Sequence, residues 1–314
     1  MLLSSKAEKL NLITLNRYSR VKINKSEISR NKIAIVYATG TIKSGKGDET
    51  SIGSETTALA IKRAREDKNV KAIVFRINSG GGSALASDVI LRETILTKKM
   101  NKPIVVSMGD YAASGGYYIA CAADSIVANP TTLTGSIGVF GMIPNLQKLY
   151  KNKLGITIDT VNTNRSADIG INRPLSDFEK IKVQKNVQNI YNTFISHVSE
   201  GRNMSKTAVD EIGQGRVWAG YDAKSIGLID CYGGLEKAIK IASNLAKINE
   251  FRIISLPKKQ DPFSKLALKL SKETNISEMI TRKLGFKTKI IEPIEDFFNE
   301  DKIQARIPFT INLK

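Results

Sequence analysis

Short runs of β-branched and apolar residues alternate with helix-spaced apolar positions over the first half of the chain. KIAIVYATGTI (32–42), KAIVFRINS (71–79) and PIVVSMGD (103–110) read as buried strands. Between them, TTALAIKRAREDKN (56–69) sets Ala58, Ile61 and Ala64 at helical spacing, and ALASDVILRETILTKKMN (84–101) is an amphipathic helix. SGKGDETSIGSE (44–55) is a Gly/Ser-rich loop. Strand–helix–strand repetition of this kind predicts βαβ units, a parallel sheet and an α/β fold.

The pattern shortens further along. SIVANP (125–130) and GSIGVFGMI (135–143) read as short strands around TTLTG, and NLQKLYKNKLG (145–155) as a helix ending at Gly155. ITIDTVNT (156–163) reads as a strand, and NRSADIGINRPLS (164–176) as a loop leading into a long helix over 177–200. A shorter helix follows over 205–215, with Ser205 as its N-cap, then a compact stretch 217–230 and a helix over 234–248. These readings divide the chain into a polar lead-in with one short helical piece (1–32), a main domain (33–248) and a Lys-rich, weakly periodic extension (249–314). No internal repeat is visible.

Composition narrows the function classes. The chain has 314 residues, 41% of them hydrophobic and 25% charged, which fits a globular protein with a sizeable core. The formal net charge is +18, and the first 32 residues carry 8 basic and 2 acidic side chains. Spread over solvated faces, such charge needs no partner; concentrated in the lead-in, it would suit contact with an anionic membrane surface. No aromatic-basic interleaving or zinc-finger spacing points to nucleic acid. Two distant cysteines, Cys121 and Cys231, make neither a disulfide framework nor a metal site, and no cofactor motif is present. No signal peptide is visible, and no apolar run reaches the roughly 18 residues of a transmembrane helix.

The chemistry is concentrated in MGDYAASGGYYIACAA (108–123). A strand runs into a small-residue turn that presents Ser114 and then enters a helical run, the layout of a nucleophile elbow. The same small residues would also serve simple close packing. Asn78-Ser79-Gly80-Gly81-Gly82-Ser83 lies between the preceding strand and helix. Its glycine amides are suited to hold an anion, although the Gly-Lys-Ser/Thr ending of a Walker A loop is absent. Together the two turns predict an oxyanion hole from a Gly81 or Gly82 N–H and the Gly115 N–H. A base is harder to find. The one histidine, His197, reads as a helix-flank residue beside Phe194 and Val198. A desolvated lysine is the other option, and lysines are too numerous for composition to single one out.

NSGGGS, MGDYAASGGYYIA, VANPTTLTGSIGVFG and GRVWAGYDAKSIGLID, in this order and spacing, resemble the signal peptide peptidase A (protease IV) family of bacterial serine peptidases over residues 33–248. The resemblance implies a Clp/crotonase-like α/β spiral, a Ser–Lys peptidase acting on remnant signal peptides, and ring- or bowl-shaped oligomers at the bacterial inner membrane. It implies Ser114 as nucleophile, Gly81 or Gly82 with Gly115 as oxyanion donors, and Ser136 as the serine that orients the lysine. The position matching the lysine of short family members falls on or near Ala167, in Asn164-Arg165-Ser166-Ala167-Asp168-Ile169. Arg165 cannot substitute, because a guanidinium does not deprotonate. The pattern is that of the C-terminal half of long, tandem members, which KLNLITLNRYSR and QARIPF also resemble. The lysine and the membrane anchor are then expected on an N-terminal half or another chain, in a homo- or hetero-oligomer. Two other readings stand beside this one: a non-catalytic subunit whose serine has no base, and a crotonase-type acyl-CoA enzyme with Asp110 as its acid.

Overall fold

The strand β6 (Ile104–Ala113) organises the molecule, because its two halves pair with different neighbours. The computed structural model describes residues 13–18, 29–48, 50–257 and 303–306. Elements before β6 are the short helix α1 (Leu15–Tyr18), the strands β1 (Lys32–Thr39), β2 (Thr41–Lys43) and β3 (Ser51–Gly53), and the helix α2 (Ser54–Glu66). The strands β4 (Val70–Ser79) and β5 (Gly81–Ser83) and the helix α3 (Ala84–Lys99) complete this part. After β6 come α4 (Gly115–Tyr118), β7 (Ser125–Ala128), β8 (Leu133–Gly135), β9 (Phe140–Gly141), α5 (Gln147–Lys153) and α6 (Asp177–Arg202). The last elements are α7 (Lys206–Ile212), β10 (Val217–Ala219), α8 (Gly220–Ser225), β11 (Cys231–Tyr232), α9 (Leu235–Leu245), β12 (Arg252–Leu256) and β13 (Ile303–Arg306).

The main sheet runs β10-β8-β6-β4-β1-β12, and every pairing in that order except β10 with β8 is parallel. Val105 to Ser107 of β6 pair with β7, whereas Tyr111 to Ala113 pair with β8. Apolar side chains on both faces explain why the three long strands read as continuous hydrophobic runs. One face packs Phe75, Ile61, Ile90, Tyr117 and Phe194; the other packs Ile33, Val74, Val105 and Val127 under Ala238 and Ala242 of α9. This is the α/β arrangement of βαβ units that the periodicity predicts. A second sheet, β3-β2-β5-β13-β9, stands beside the end of the first.

Helix starts follow local chemistry. Ser83 caps α3 by accepting from Ala86 N, and Ser205 caps α7 by accepting from Ala208 N. Ser176 and Glu179 form a capping box at α6.

Four expectations are corrected. The Gly/Ser-rich loop 44–55 holds β3 (Ser51–Gly53) and the start of α2. ITIDTVNT (156–163) forms no strand: it pairs with no described strand and leaves Ile156, Ile158 and Val161 exposed. Its apolar alternation fits a strand, but pairing is a tertiary event that a local pattern cannot guarantee. GSIGVFGMI is mostly irregular, with only Phe140–Gly141 paired as β9. Gly81–Ser83, read as part of a loop, is a strand of the second sheet. Residues past 248 supply β12, beside β1, and β13, beside β5. Most of the Lys-rich stretch (258–302 and 307–314), and 1–12 and 19–28 of the lead-in, lie outside the described residues.

Candidate active site

Ser114 stands at the carboxyl end of β6, at the start of α4. Its backbone has φ 54 and ψ −118, a left-handed region that costs a non-glycine residue about 1–3 kcal/mol. The turn is held from the sheet: Ser114 N donates to Gly135 O at 2.8 Å, continuing the pairing of β6 with β8. The residue is 1% exposed, and its Oγ lies 3.4 Å from Gly138 O, the long limit of a hydrogen bond. Ser114 is thus a buried serine at positive φ with a weakly engaged hydroxyl.

The glycine loop meets this turn. Ser79 Oγ donates to Gly40 O at 2.6 Å and accepts from Gly81 N at 3.1 Å. The Gly81 amide is therefore engaged inside its own loop, and Gly82 lies in β5 opposite Ala305 on one edge and Ile42 on the other. Gly81 has φ 99, and a methyl group there would lie 2.0 Å from Ala305 O and 2.7 Å from Gly115 N. Gly81, the first amide of α4 and the Ala305 carbonyl thus converge beside Ser114. N–H groups of a helical first turn have no partner within the helix and point outward. A side chain on Gly116 would come within 2.5 Å of Ser79 O, so glycine there lets α4 pack on the end of β4. Asn78 braces the same corner, its Oδ1 accepting from Asp110 N and Tyr111 N.

Ser136 follows β8 at φ 48 and is 3% exposed, its N donating to Arg216 O at 2.7 Å and its Oγ lying 3.4 Å from Gly215 O. It is one residue beyond Gly135, the pairing partner of Ala113, so the fold brings Ser114 and Ser136 to one end of the sheet. Ala167 does not join them by any hydrogen bond among the described residues. It is exposed in a loop clasped by Arg173, which bonds both Asp168 and Glu179 and so fixes the loop to the start of α6. These bonds hold Asp168 down at about 2 and Glu179 well below the usual carboxylate range.

Among the described residues, no lysine or histidine hydrogen-bonds to Ser114. Lys102, whose burial lowers its pKa, bonds the carbonyls of Ala64, Arg65 and Asp67 at the end of α2. It precedes β6, a ten-residue strand that puts it about 30 Å from the Ser114 end. His197 is a helix-flank residue, 3.3 Å from Asp88 Oδ1 and edge-on to the Tyr118 ring. Cys121 is buried, its thiol pushed up to about 12 by desolvation. Asp110 is exposed. No helix among the described residues is long and apolar enough to cross a membrane.

Sequence reasoning did not anticipate β13. QARIPF stood out as a motif, but nothing local places Ala305 beside Ser114.

Comparison with known proteins places this geometry in a family. The model of peptidase family S49 matches residues 97–249, which hold Ser114, Ser136 and Ala167. Protease 4 of Haemophilus influenzae is 43% identical over 215 residues, covering 68% of this chain and 35% of that protein. The chloroplastic serine protease SPPA of Arabidopsis thaliana is 40% identical over 269 residues, 83% of this chain and 39% of that one. A putative protease of Synechocystis is 33% identical over 227 residues, 72% of this chain and 78% of that one. The 1510-N membrane-bound stomatin-specific protease is similar in fold at 17% identity and a TM-score of 0.46, covering 73% of this chain and 99% of that one. The chain spans little more than a third of the length of Protease 4. With the Synechocystis relative covered over most of its length and the family model spanning the serine turn, the chain belongs to peptidase family S49.

Proposed function

We propose that this chain carries the serine half of a Ser–Lys endopeptidase site that degrades remnant signal peptides. The observation that carries the reading is Ser114 itself, buried at positive φ where two glycine turns converge. In the proposed reaction Ser114 Oγ attacks a peptide carbonyl, and a Gly81 or Gly82 amide together with the Gly115 amide takes the oxyanion. One such donor is worth about 3 kcal/mol in the transition state. Ser136 orients the lysine that accepts the Oγ proton and returns it to the leaving amine. Ala167 at the expected lysine position supports supply of that lysine by another polypeptide. So does the match to little more than a third of Protease 4, whose remaining length has room for a second half. Association with a membrane would then come through that partner, with the basic lead-in as an additional surface contact. The domain limits 33–248 and 249–314 are retained as a division of sequence, with strands from the second part completing both sheets.

A fluorophosphonate probe tests this. Little labelling of the chain alone, restored labelling with a lysine-bearing partner and none in Ser114→Ala are the expected results. Strong labelling of the isolated chain refutes the external lysine. Absence of labelling with every partner refutes the peptidase reading and leaves a non-catalytic subunit.

A further inference from the structure

Arg76 offers more hydrogen-bond donors than its surroundings accept. It stands in β4 one alternation beyond Val74, which packs under α9, and it is half-buried. Strand register sets Tyr37 of β1 beside it on one side and Ser107 of β6 on the other. The guanidinium leans toward β6, where Nη1 donates to Ser107 Oγ at 2.9 Å and to Met108 O at 2.5 Å. These two bonds use both Nη1 hydrogens and fix the plane of the fork. The N–H groups of Nε and Nη2 meet no acceptor among the described residues. Asn78, two residues on and on the same face, adds to the excess. Its Oδ1 accepts from Asp110 N and Tyr111 N, and its Nδ2 has no acceptor among the described residues. Asp110 is exposed and makes no ion pair with Arg76. A half-buried cation with no counter-charge has given up hydration without compensation.

We infer that Arg76 and Asn78 form a binding site for a carboxylate group of another molecule. A carboxylate only accepts hydrogen bonds, and its two coplanar oxygens match the Nε–Nη2 edge of a guanidinium through two parallel bonds. Residues i and i+2 of a strand are about 7 Å apart, so one ligand reaches both side chains. Tyr37 and Thr39, exposed on β1 opposite Arg76 and Asn78, form the open rim. One guanidinium balances the single charge of a carboxylate, whereas a phosphate group carries more charge than this cluster offsets. The ligand is an acidic side chain or the C-terminal carboxylate of a polypeptide. Ser107 and Ser114 are seven residues apart, so the site lies about 23 Å along β6 from the serine turn. It holds a polypeptide on the sheet without touching the reacting atoms, and it does not rest on the peptidase reading.

The test is an NMR titration of the isotope-labelled full chain at constant ionic strength, followed through the side-chain amide resonance of Asn78, which is assigned by its loss in Asn78→Ser. Sodium acetate is the first probe. Acetyl-Gly-Glu-Gly-amide then offers a side-chain carboxylate, acetyl-Gly-Gly-Gly a terminal one, and acetyl-Gly-Gln-Gly-amide neither. The resonance should move to saturation with acetate and with one or both carboxylate peptides, which identifies the source, and stay in place with the glutamine peptide. Arg76→Lys keeps the charge and loses the fork, and should bind acetate at least about tenfold more weakly. No saturable movement in the unaltered chain overturns the inference, and so does equal movement with the glutamine peptide; neither result depends on a variant folding. Undiminished binding by Arg76→Lys also overturns it. Inorganic phosphate binding about tenfold more tightly than acetate overturns the carboxylate assignment. Fluorophosphonate labelling of Ser114 enters none of these outcomes, so failure here leaves the serine reading standing.

Discussion

Replacing Ser114 by glycine should make the protein more stable relative to alanine than the same exchange does elsewhere in β6. Both substitutions remove the hydroxyl and its 3.4 Å contact with Gly138 O, so their difference isolates the backbone. Positive φ costs alanine about 1–3 kcal/mol that glycine does not incur. Against this, glycine gains about 0.5–1 kcal/mol of freedom in the unfolded chain. It also loses up to about 0.8 kcal/mol of methyl burial. Ser107 supplies the reference, being fully buried in the regular part of β6 and bonded to Arg76. There the two opposing terms act without strain, and glycine should be the weaker variant by about 1 kcal/mol. The glycine-minus-alanine difference at 114 should therefore exceed that at 107 by about 1–3 kcal/mol, or roughly 2–4 °C in Tm per kcal/mol. Urea unfolding followed through the one tryptophan, Trp218, reads this directly. Equal differences at the two sites would show that the Ser114 turn stores no strain.

Other consequences follow from buried charge and titration. Arg65 and Glu93 form a buried ion pair between α2 and α3, so Glu93→Ala should cost about 3–5 kcal/mol by leaving the guanidinium uncompensated. The double variant Arg65→Met, Glu93→Leu should recover most of it, and a urea series on the three proteins checks both. Asp168 is held at about 2 against its ordinary 3.8, chiefly by hydrogen bonding to Arg173. Its folded form binds protons less readily than its unfolded form, so the stabilisation is present above 3.8 and lost as pH falls toward about 2. Arg173→Gln should flatten this part of the pH–stability curve; an unchanged slope would refute the clasp. Cys121, buried and pushed up to about 12, should resist iodoacetamide while half-exposed Cys231 is alkylated, as mass spectrometry of the folded chain would show.

The local pattern alone determined the elements whose stability is mostly local or two-sided. The three long strands are apolar on both faces, α7 begins at a capping serine, and the turn at Ala112–Gly116 is built of small residues. These features survive because each residue choice agrees with its immediate neighbours. The serine turn and the glycine turn were legible for the same reason, and their order along the chain placed them at the ends of successive strands. Pairing between distant segments was not legible. ITIDTVNT has the composition of a strand and finds no partner among the described residues, whereas Ile303–Arg306, about 190 residues after Ser114 in the numbering, is clamped between two. Only tertiary structure decided which glycine amide is already engaged by Ser79, that Lys102 sits at the far end of β6, and that the Ala305 carbonyl lies against Gly81 and Gly115. A backbone group can be assigned its partner only when every strand edge has been placed, and that is a property of the whole fold.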